Sequence, residues 1–491
     1  MAPPKPSSAP DILICAEEEE EKKSYSYIEK RNMTIWIIGI MFYKLGLETF
    51  QGSITIIALE KWGDEKHRKY GLLRGLDQLF QCMGSILIAP LIRRFATRNI
   101  LLFTSLIFAV LSALLMIIDF GTHGRIKTST STDPTESESE APPYLGSFNP
   151  NTLFPIMCSS GLVYGMIELI RRIIPRDIVG GNITKLRKMD ALVHILYEVS
   201  GTLGALLSWL LVSRLGSVYG LVATPGFFAC AAMTWHFLAL PSPPKSTARA
   251  SYAVQLLYGV KYFFQSISKG FCVIFTKRAF MWLPVGYSIA LYTHRYIENG
   301  LIPFIAQDIF HNPAASRILV SGSNLGELIG AASVFVLGDR IPTPIPWIRA
   351  DALLLLLVWV LPFYPSQDTS TAALWRLAPL FIPISFGWAA GDVSLAAYIQ
   401  SALAGGHEQR DENISDLSAV MAFLYSVYIA LFAVLAPVLG MVADKGGDAR
   451  VTVVWVGGVQ VSVVAALLVG STFVPRGGAG WNPRLEGMTA G

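Results

Sequence analysis

Residues 34–59 read TIWIIGIMFYKLGLETFQGSITIIAL, an apolar run broken only by the charges Lys44 and Glu48. A helix crossing a bilayer needs about 20 mainly apolar residues, so this run spans a membrane with length to spare. Its two charges stand four residues apart and share one helix face, where each can neutralise the other. Ionisable groups are costly at membrane depth, so a span that keeps two of them faces a wet cavity or a partner helix.

Working outward, runs of the same kind fill the chain. The first half holds spans at 34–59, 71–92, 99–119, 152–170, 190–214 and 219–240, and the second at 280–306, 316–338, 348–363, 374–403, 415–442 and 450–474. Of the 491 residues 52% are apolar and 15% charged, a balance that one water-soluble core cannot absorb. The expected fold class is therefore all-α integral membrane, twelve transmembrane helices in two six-helix bundles. The division is a tail at 1–33, a bundle at 34–240, a linker at 241–279, a second bundle at 280–474 and a tail at 475–491. The linker opens on Pro241, Pro243 and Pro244, and its stretch 252–275 sets Lys261 and Lys269 among aromatics, the pattern of an interfacial amphipathic helix.

The polar start, with acids from Glu17 to Glu21, lacks the basic and apolar parts of a cleaved signal peptide, so the first span is expected to act as the insertion signal. Lysine and arginine are denser in the loops that share a side with both termini, which places the termini in the cytoplasm. Arg93, Arg94 and Arg98 follow the second span, and Arg171, Arg172, Arg176, Lys185, Arg187 and Lys188 follow the fourth. The loop holding Lys61, Lys66, Arg68 and Lys69 dissents, softened by Glu60, Asp64 and Glu65. The sequons at Asn32, Asn182 and Asn413 then fall in cytoplasmic loops, beyond the reach of glycosylation. The external stretch 120–151, rich in Ser, Thr, Pro and Glu, cannot build a packed core. Five scattered cysteines show no metal or disulfide spacing and read as packing residues.

Further charges recur inside the spans. Arg74 and Asp77 stand three apart in the second, and Arg295 and Glu298 three apart in the seventh. Glu198, Glu327 and Asp392 have no opposite charge nearby on their own helices, which suits a carboxyl that binds and releases a proton. His194 lies one turn before Glu198, placed for a proton relay, against the plainer reading of a core histidine. Glu168 and Asp190, at span ends among arginines, read as loop salt bridges. Trp388 and Tyr398, with Tyr292, Tyr296, Trp36 and Tyr43, either line a solute path or pack between helices.

Two sets of six spans joined by a long linker is the layout of a transporter with its site between two bundles. The chain resembles the major facilitator superfamily from Thr34 to Val474. The basic signature which that family carries after its second helix corresponds here to Ala89-Pro-Leu-Ile-Arg93-Arg94-Phe-Ala-Thr-Arg98, which keeps Arg94 and Arg98 and lacks the glycines and the aspartate. The counterpart after the eighth span is Gly338-Asp339-Arg340. The resemblance implies a cytoplasmic gate built from Arg94, Arg98, Asp339 and Arg340. The stretches 36–54 and 387–400, the latter with Gly391-Asp392, look like fungal facilitator-type carriers of unassigned substrate. Helix five has Gly201-Thr-Leu-Gly204 without the fuller antiporter signature, and the sugar-porter signature is absent after the sixth span.

The expected function is a secondary active transporter moving a small organic solute by alternating access, proton-coupled, with metabolite efflux as the favoured role. Lys44 and Arg295 would pair with solute oxygens; Glu198, Glu327 or Asp392 would carry the proton; Glu48 and Glu298 would complete the pathway, with Asp77, His194, Trp388 and Tyr398 behind them. The alternative is a facilitator-like sensor or scaffold that does not transport. A membrane enzyme finds no His-x-x-x-Asp, Asp-Asp or Gly-x-Ser-x-Gly constellation, and no Walker loop points to ATP. No cofactor, metal or nucleic acid is expected; the partners are the solute, the proton and the bilayer. The plasma membrane is favoured over a vacuolar or other internal membrane.

Overall fold

The computed structural model describes residues 25–92, 94–127, 144–179, 183–240, 251–338, 340–364, 369–404 and 416–483. Asp339, Asn182, Asn413 and the middle of the 120–151 stretch lie outside these. Among the described residues every regular element is helical. The first half comprises α1 (Tyr27–Lys61), α2 (Lys66–Ile92), α3 (Thr97–Gly121), α4 (Leu153–Val179), α5 (Ile183–Leu215) and α6 (Thr224–His236). After α7 (Tyr252–Thr276) come α8 (284–309), α9 (Ser316–Leu337), α10 (Ile345–Phe363), α11 (Thr371–Ala404), α12 (Asp416–Lys445) and α13 (Ala449–Ser471).

Ten of these helices are long and apolar enough to cross a membrane. The other two crossings are α6, shortened by the 3-10 turn Tyr219–Leu221, and α8, where π-helical turns at Pro284–Ile289, Ile297–Leu301 and Ile305–Ile309 alternate with α-turns. The sum is twelve crossings, with α7 apart. Ser26 caps α1 in a capping box with Glu29, which satisfies two of the backbone N–H groups that a helix start leaves unpaired.

Two boundaries differ from the hydropathy reading in ways that matter. The fourth span was expected to end at 170, yet α4 runs to Val179, because Ile170, Ile174 and Ile178 continue the buried stripe at helical spacing past the arginines. Glu168 and Arg171 thus lie within a helix rather than in a loop. Asn32 also leaves the loop expected for it: it sits in α1, buried, and exchanges hydrogen bonds with the backbone of Ala239.

Apolar side chains gather in two clusters. One draws on residues 36–238 and the other, apart from Ala205, on residues 274–468. The two bundles meet along α2 against α12 and α5 against α9. Gly71 makes the first seam close: a Cβ there would stand 2.5 Å from the Ala436 carbonyl oxygen, so the backbones touch as small-residue membrane contacts do.

The helix ends define two sides, a linker side where α7 lies and a far side. On the linker side α7 crosses from the end of α2, where Tyr252 donates to the Leu87 carbonyl at 3.1 Å, to the start of α12, where Lys269 meets Asp416 at 2.8 Å. Its outward face shows Leu257, Phe264 and Phe271. On the far side the ends of the 120–151 stretch are tied down: Arg125 and Lys127 donate backbone bonds to Tyr144 and Leu215. The Tyr144 hydroxyl donates to Glu60 at 2.9 Å. Burial, then the Glu60 carboxylate, push this phenol well above its ordinary range, so it remains a donor.

Candidate functional site

The mid-depth region between the bundles holds the charges that the sequence singled out, and two more. Lys44 and Glu48 form the i, i+4 pair expected of them, Nζ to Oε1 at 2.7 Å. Glu48 also bonds across the bundle boundary, accepting from Arg317 of α9 and, at 3.5 Å, from the Asn324 side chain. One buried carboxylate therefore joins two cations on two bundles. Gly52, one turn further along α1, makes room for this: a Cβ there would stand 2.8 Å from the Arg317 Nε.

Lys44 and Arg171 approach the same aromatic ring, Tyr197 of α5, at 4.6 and 4.5 Å from its centroid. Arg171 is held by Glu168 at 3.1 Å on its own helix. Across the boundary Arg295 pairs with Glu298 at 2.7 Å, and its side chain keeps 39% exposure, the most open of these cations. Tyr164 of α4 lies within electrostatic reach of both Arg171 and Arg295. Arg74 pairs with Asp77 at 3.5 Å and also crosses to Asn299 of α8 at 2.6 Å.

Glu198 and Glu327 join this group. Glu198 is within reach of Lys44, and Glu327 within reach of Glu198, Arg295, Glu298 and Lys44. The Glu198 Oε2 is buried without a hydrogen-bond partner. His194 lies one turn away with its Nε2 buried and equally unpartnered, so no His194–Glu198 hydrogen bond forms through that atom.

The remaining candidates lie elsewhere. Trp388 stacks on His294 inside the second cluster, centroids 5.5 Å apart, and Tyr398 donates to the Ala279 carbonyl at 3.0 Å. Asp392 sits a turn beyond Trp388 on α11, partly buried. On the linker side Arg94 faces the Tyr252 ring of α7, Arg98 donates to the Leu238 carbonyl, and the Arg340 carbonyl accepts from Asn482. These three make separate contacts. Asp339 is outside the described residues.

The sequence did not point to Arg171, Arg317 or the buried pair His294–Asp351, whose Nε2 and Oδ1 stand 3.0 Å apart. Arg317 is the second residue of its expected span, 316–338, and nothing in that span's spacing pairs it with another charge. The continuing isoleucine stripe was the signal that would have brought Arg171 inside.

The far-side boundary is clamped. Asp308 of α8 accepts from Lys66 at 2.8 Å and meets His67 Nε2 at 2.5 Å, both on α2. Asp444 of α12 accepts from the backbone N–H groups of His67 at 3.0 Å and Arg68 at 2.8 Å. A carboxylate of the second half thus occupies the positive start of a helix of the first, where its charge is favoured. Among the described residues no group of three or more His, Cys, Asp or Glu is placed to hold a metal ion.

No protein-family model and no curated protein matches the chain. Solved structures do. The nucleoside transporter NupG aligns with a TM-score of 0.56 at 14% identity over 91% of this chain and 99% of its own. A D-xylose-proton symporter aligns at 0.58 and 14% identity, covering 90% and 97%. A POT family transporter solved in complex with 5-aminolevulinic acid aligns at 0.60 and 10% identity, covering 90% and 96%. Each likeness covers about nine-tenths of the chain, at identities that speak to fold alone. Twelve crossings in two sets, charges meeting between them at mid-depth, and these full-length alignments together give the chain the fold of the major facilitator superfamily.

Proposed function

We propose that the protein is a proton-coupled secondary transporter that carries a small polar organic solute by alternating access, with the linker side in the cytoplasm. One observation carries the reading: charges buried at mid-depth join the two bundles through Glu48 and Arg317, beside an Arg295 whose side chain stays open. Burying that many charges in a membrane helix bundle is costly unless they serve a polar pathway. The aligned structures above are a nucleoside transporter, a D-xylose-proton symporter and a POT family transporter in complex with 5-aminolevulinic acid, and each of these names a small polar molecule.

In this reading Arg295 and Arg171 offer cations to solute oxygens, the first from α8 and the second from α4, with Tyr197 and Tyr164 as flanking rings. The Asp308 and Asp444 contacts hold the bundles together on the far side. Rocking of one bundle against the other would break the Asp308 and Asp444 contacts and expose the same charges to the far side.

Purified protein in liposomes, offered a metabolite extract under an imposed pH gradient, tests this. The expected result is accumulation of a defined solute that falls at least about tenfold in Arg295→Gln, a loss of roughly 1.4 kcal/mol or more of binding or barrier. Arg295→Gln should reach the membrane and unfold at the wild-type temperature. Absence of any protein-dependent flux, or flux unaffected by Arg295→Gln and Arg171→Gln together, sinks the assignment.

A further inference from the structure

The second bundle seam, α5 against α9, has a register that can be read from three contacts. Ser208 and Arg317 both stand against the same point on Gly52, and a Cβ on Gly201 would lie 3.1 Å from the Asn324 side-chain nitrogen. Numbers rise along α5 as they fall along α9, so the helices are antiparallel. Ala205, in between, belongs to the apolar cluster of the second half, as this register requires. One more turn toward the linker side brings Glu198 opposite Glu327, two acidic side chains from different bundles.

The charges around this point do not balance. Lys44, Arg295 and Arg317 face Glu48, Glu298, Glu198 and Glu327. Each cation has a nearer carboxylate: Lys44 and Arg317 are bonded to Glu48, and Arg295 to Glu298. Glu198 and Glu327 are left to each other, with the Glu198 Oε2 buried and unpartnered. His194 on the same helix and the Arg171–Glu168 pair beside Tyr197 are the other titratable neighbours, and Glu168 already neutralises Arg171. Two like charges in a poorly solvated site cannot both ionise without strong repulsion, and one proton between them removes it.

We propose that Glu198 and Glu327 form a carboxyl–carboxylate pair that shares one proton across the α5–α9 seam, and that this proton governs the separation of the two bundles. With the proton bound the seam stays packed. When it leaves, two negative charges from opposite bundles face each other and drive the linker-side ends of α5 and α9 apart. The proton thereby acts on the same boundary that alternating access must open. The idea rests on the transport reading above for its purpose and not for its geometry.

The test needs no solute. With the native cysteines replaced, spin labels at Leu192 of α5 and Val336 of α9 report the distance between the linker-side ends in lipid nanodiscs. Measurements run from about pH 5 to about pH 9, the range in which buried carboxyls titrate. The expected result is a distance that lengthens as pH rises. In Glu198→Gln and in Glu327→Gln only one negative charge can form at the seam, so the like-charge repulsion is gone and the lengthening should be lost. The double variant should show no transition. Glu327→Asp, which keeps the charge, should retain one, and serves where a Gln variant does not fold. A wild-type distance indifferent to pH, or single Gln variants that lengthen with pH as the wild type does, overturns the pair. Solute flux with pH-independent distances would overturn it while leaving transport standing; pH-dependent distances without flux would do the reverse.

Discussion

Glu48 is the residue on which most of the boundary turns. Its partner Lys44 was legible from spacing alone, since residues four apart on a helix are neighbours wherever the helix goes. Arg317 was not, because it arrives from 269 residues away and only the packing of α9 against α5, which itself packs on α1, brings it there. That distant partner decides what a substitution does. Glu48→Gln leaves both Lys44 and Arg317 buried without their counter-charge, and losing one partner of a buried ion pair destabilises by about 3–5 kcal/mol. Thermal unfolding in detergent should show a clear fall in midpoint for Glu48→Gln, with part of it recovered when Arg317→Met is added. An unchanged midpoint would mean that Glu48 is solvated and that its bonds contribute little.

Among the elements, α7 and α8 behave least as their hydropathy describes. The sequence marks α8 as a membrane span, and the structure adds three π-turns around His294, Arg295 and Glu298. Such turns widen a helix and free backbone groups, and they recur at functional sites; no pattern in 280–306 announces them. The aromatic-rich stretch 252–275 reads as an amphipathic helix, and α7 has that form, but its position across the ends of α2 and α12 depends on a close approach at Gly270, where a Cβ would come within 2.1 Å of the Ala419 carbonyl. Gly270→Leu should lift this end of α7 from α12 and stretch the Lys269–Asp416 contact. Hydrogen exchange would then rise across Tyr252–Thr276 while α1 to α6 keep their protection. Unchanged protection of α7 would show that its anchorage lies elsewhere, at Tyr252 and Leu87.

At the scale of the whole molecule, closure of the far side rests on few groups. Asp308 and Asp444 bind the start of α2 from two helices of the other bundle, and neither bond has an apolar substitute. Asp308→Asn keeps the shape and removes the charge that holds Lys66 and His67. A single cysteine at Ala443, which lines the small cavity beside His67, should then react severalfold faster with a membrane-impermeant maleimide from the far side. Equal rates in wild type and variant would place the barrier deeper, at the backbone contact between Gly71 and Ala436.

Local order in the chain determined the twelve crossings and the pairs Lys44–Glu48, Arg74–Asp77 and Arg295–Glu298. Hydrophobic length and helical spacing are properties of consecutive residues, so a bilayer reads them before any bundle forms. The tertiary structure decided which helices face one another. It took Arg171 out of a loop, gave Glu48 its second cation, turned Trp388 toward His294 and set Glu198 opposite Glu327. Those outcomes depend on helix rotation and on register between segments far apart in the chain, quantities fixed by close packing of small residues such as Gly52, Gly71 and Gly201, and carried by no short stretch of sequence.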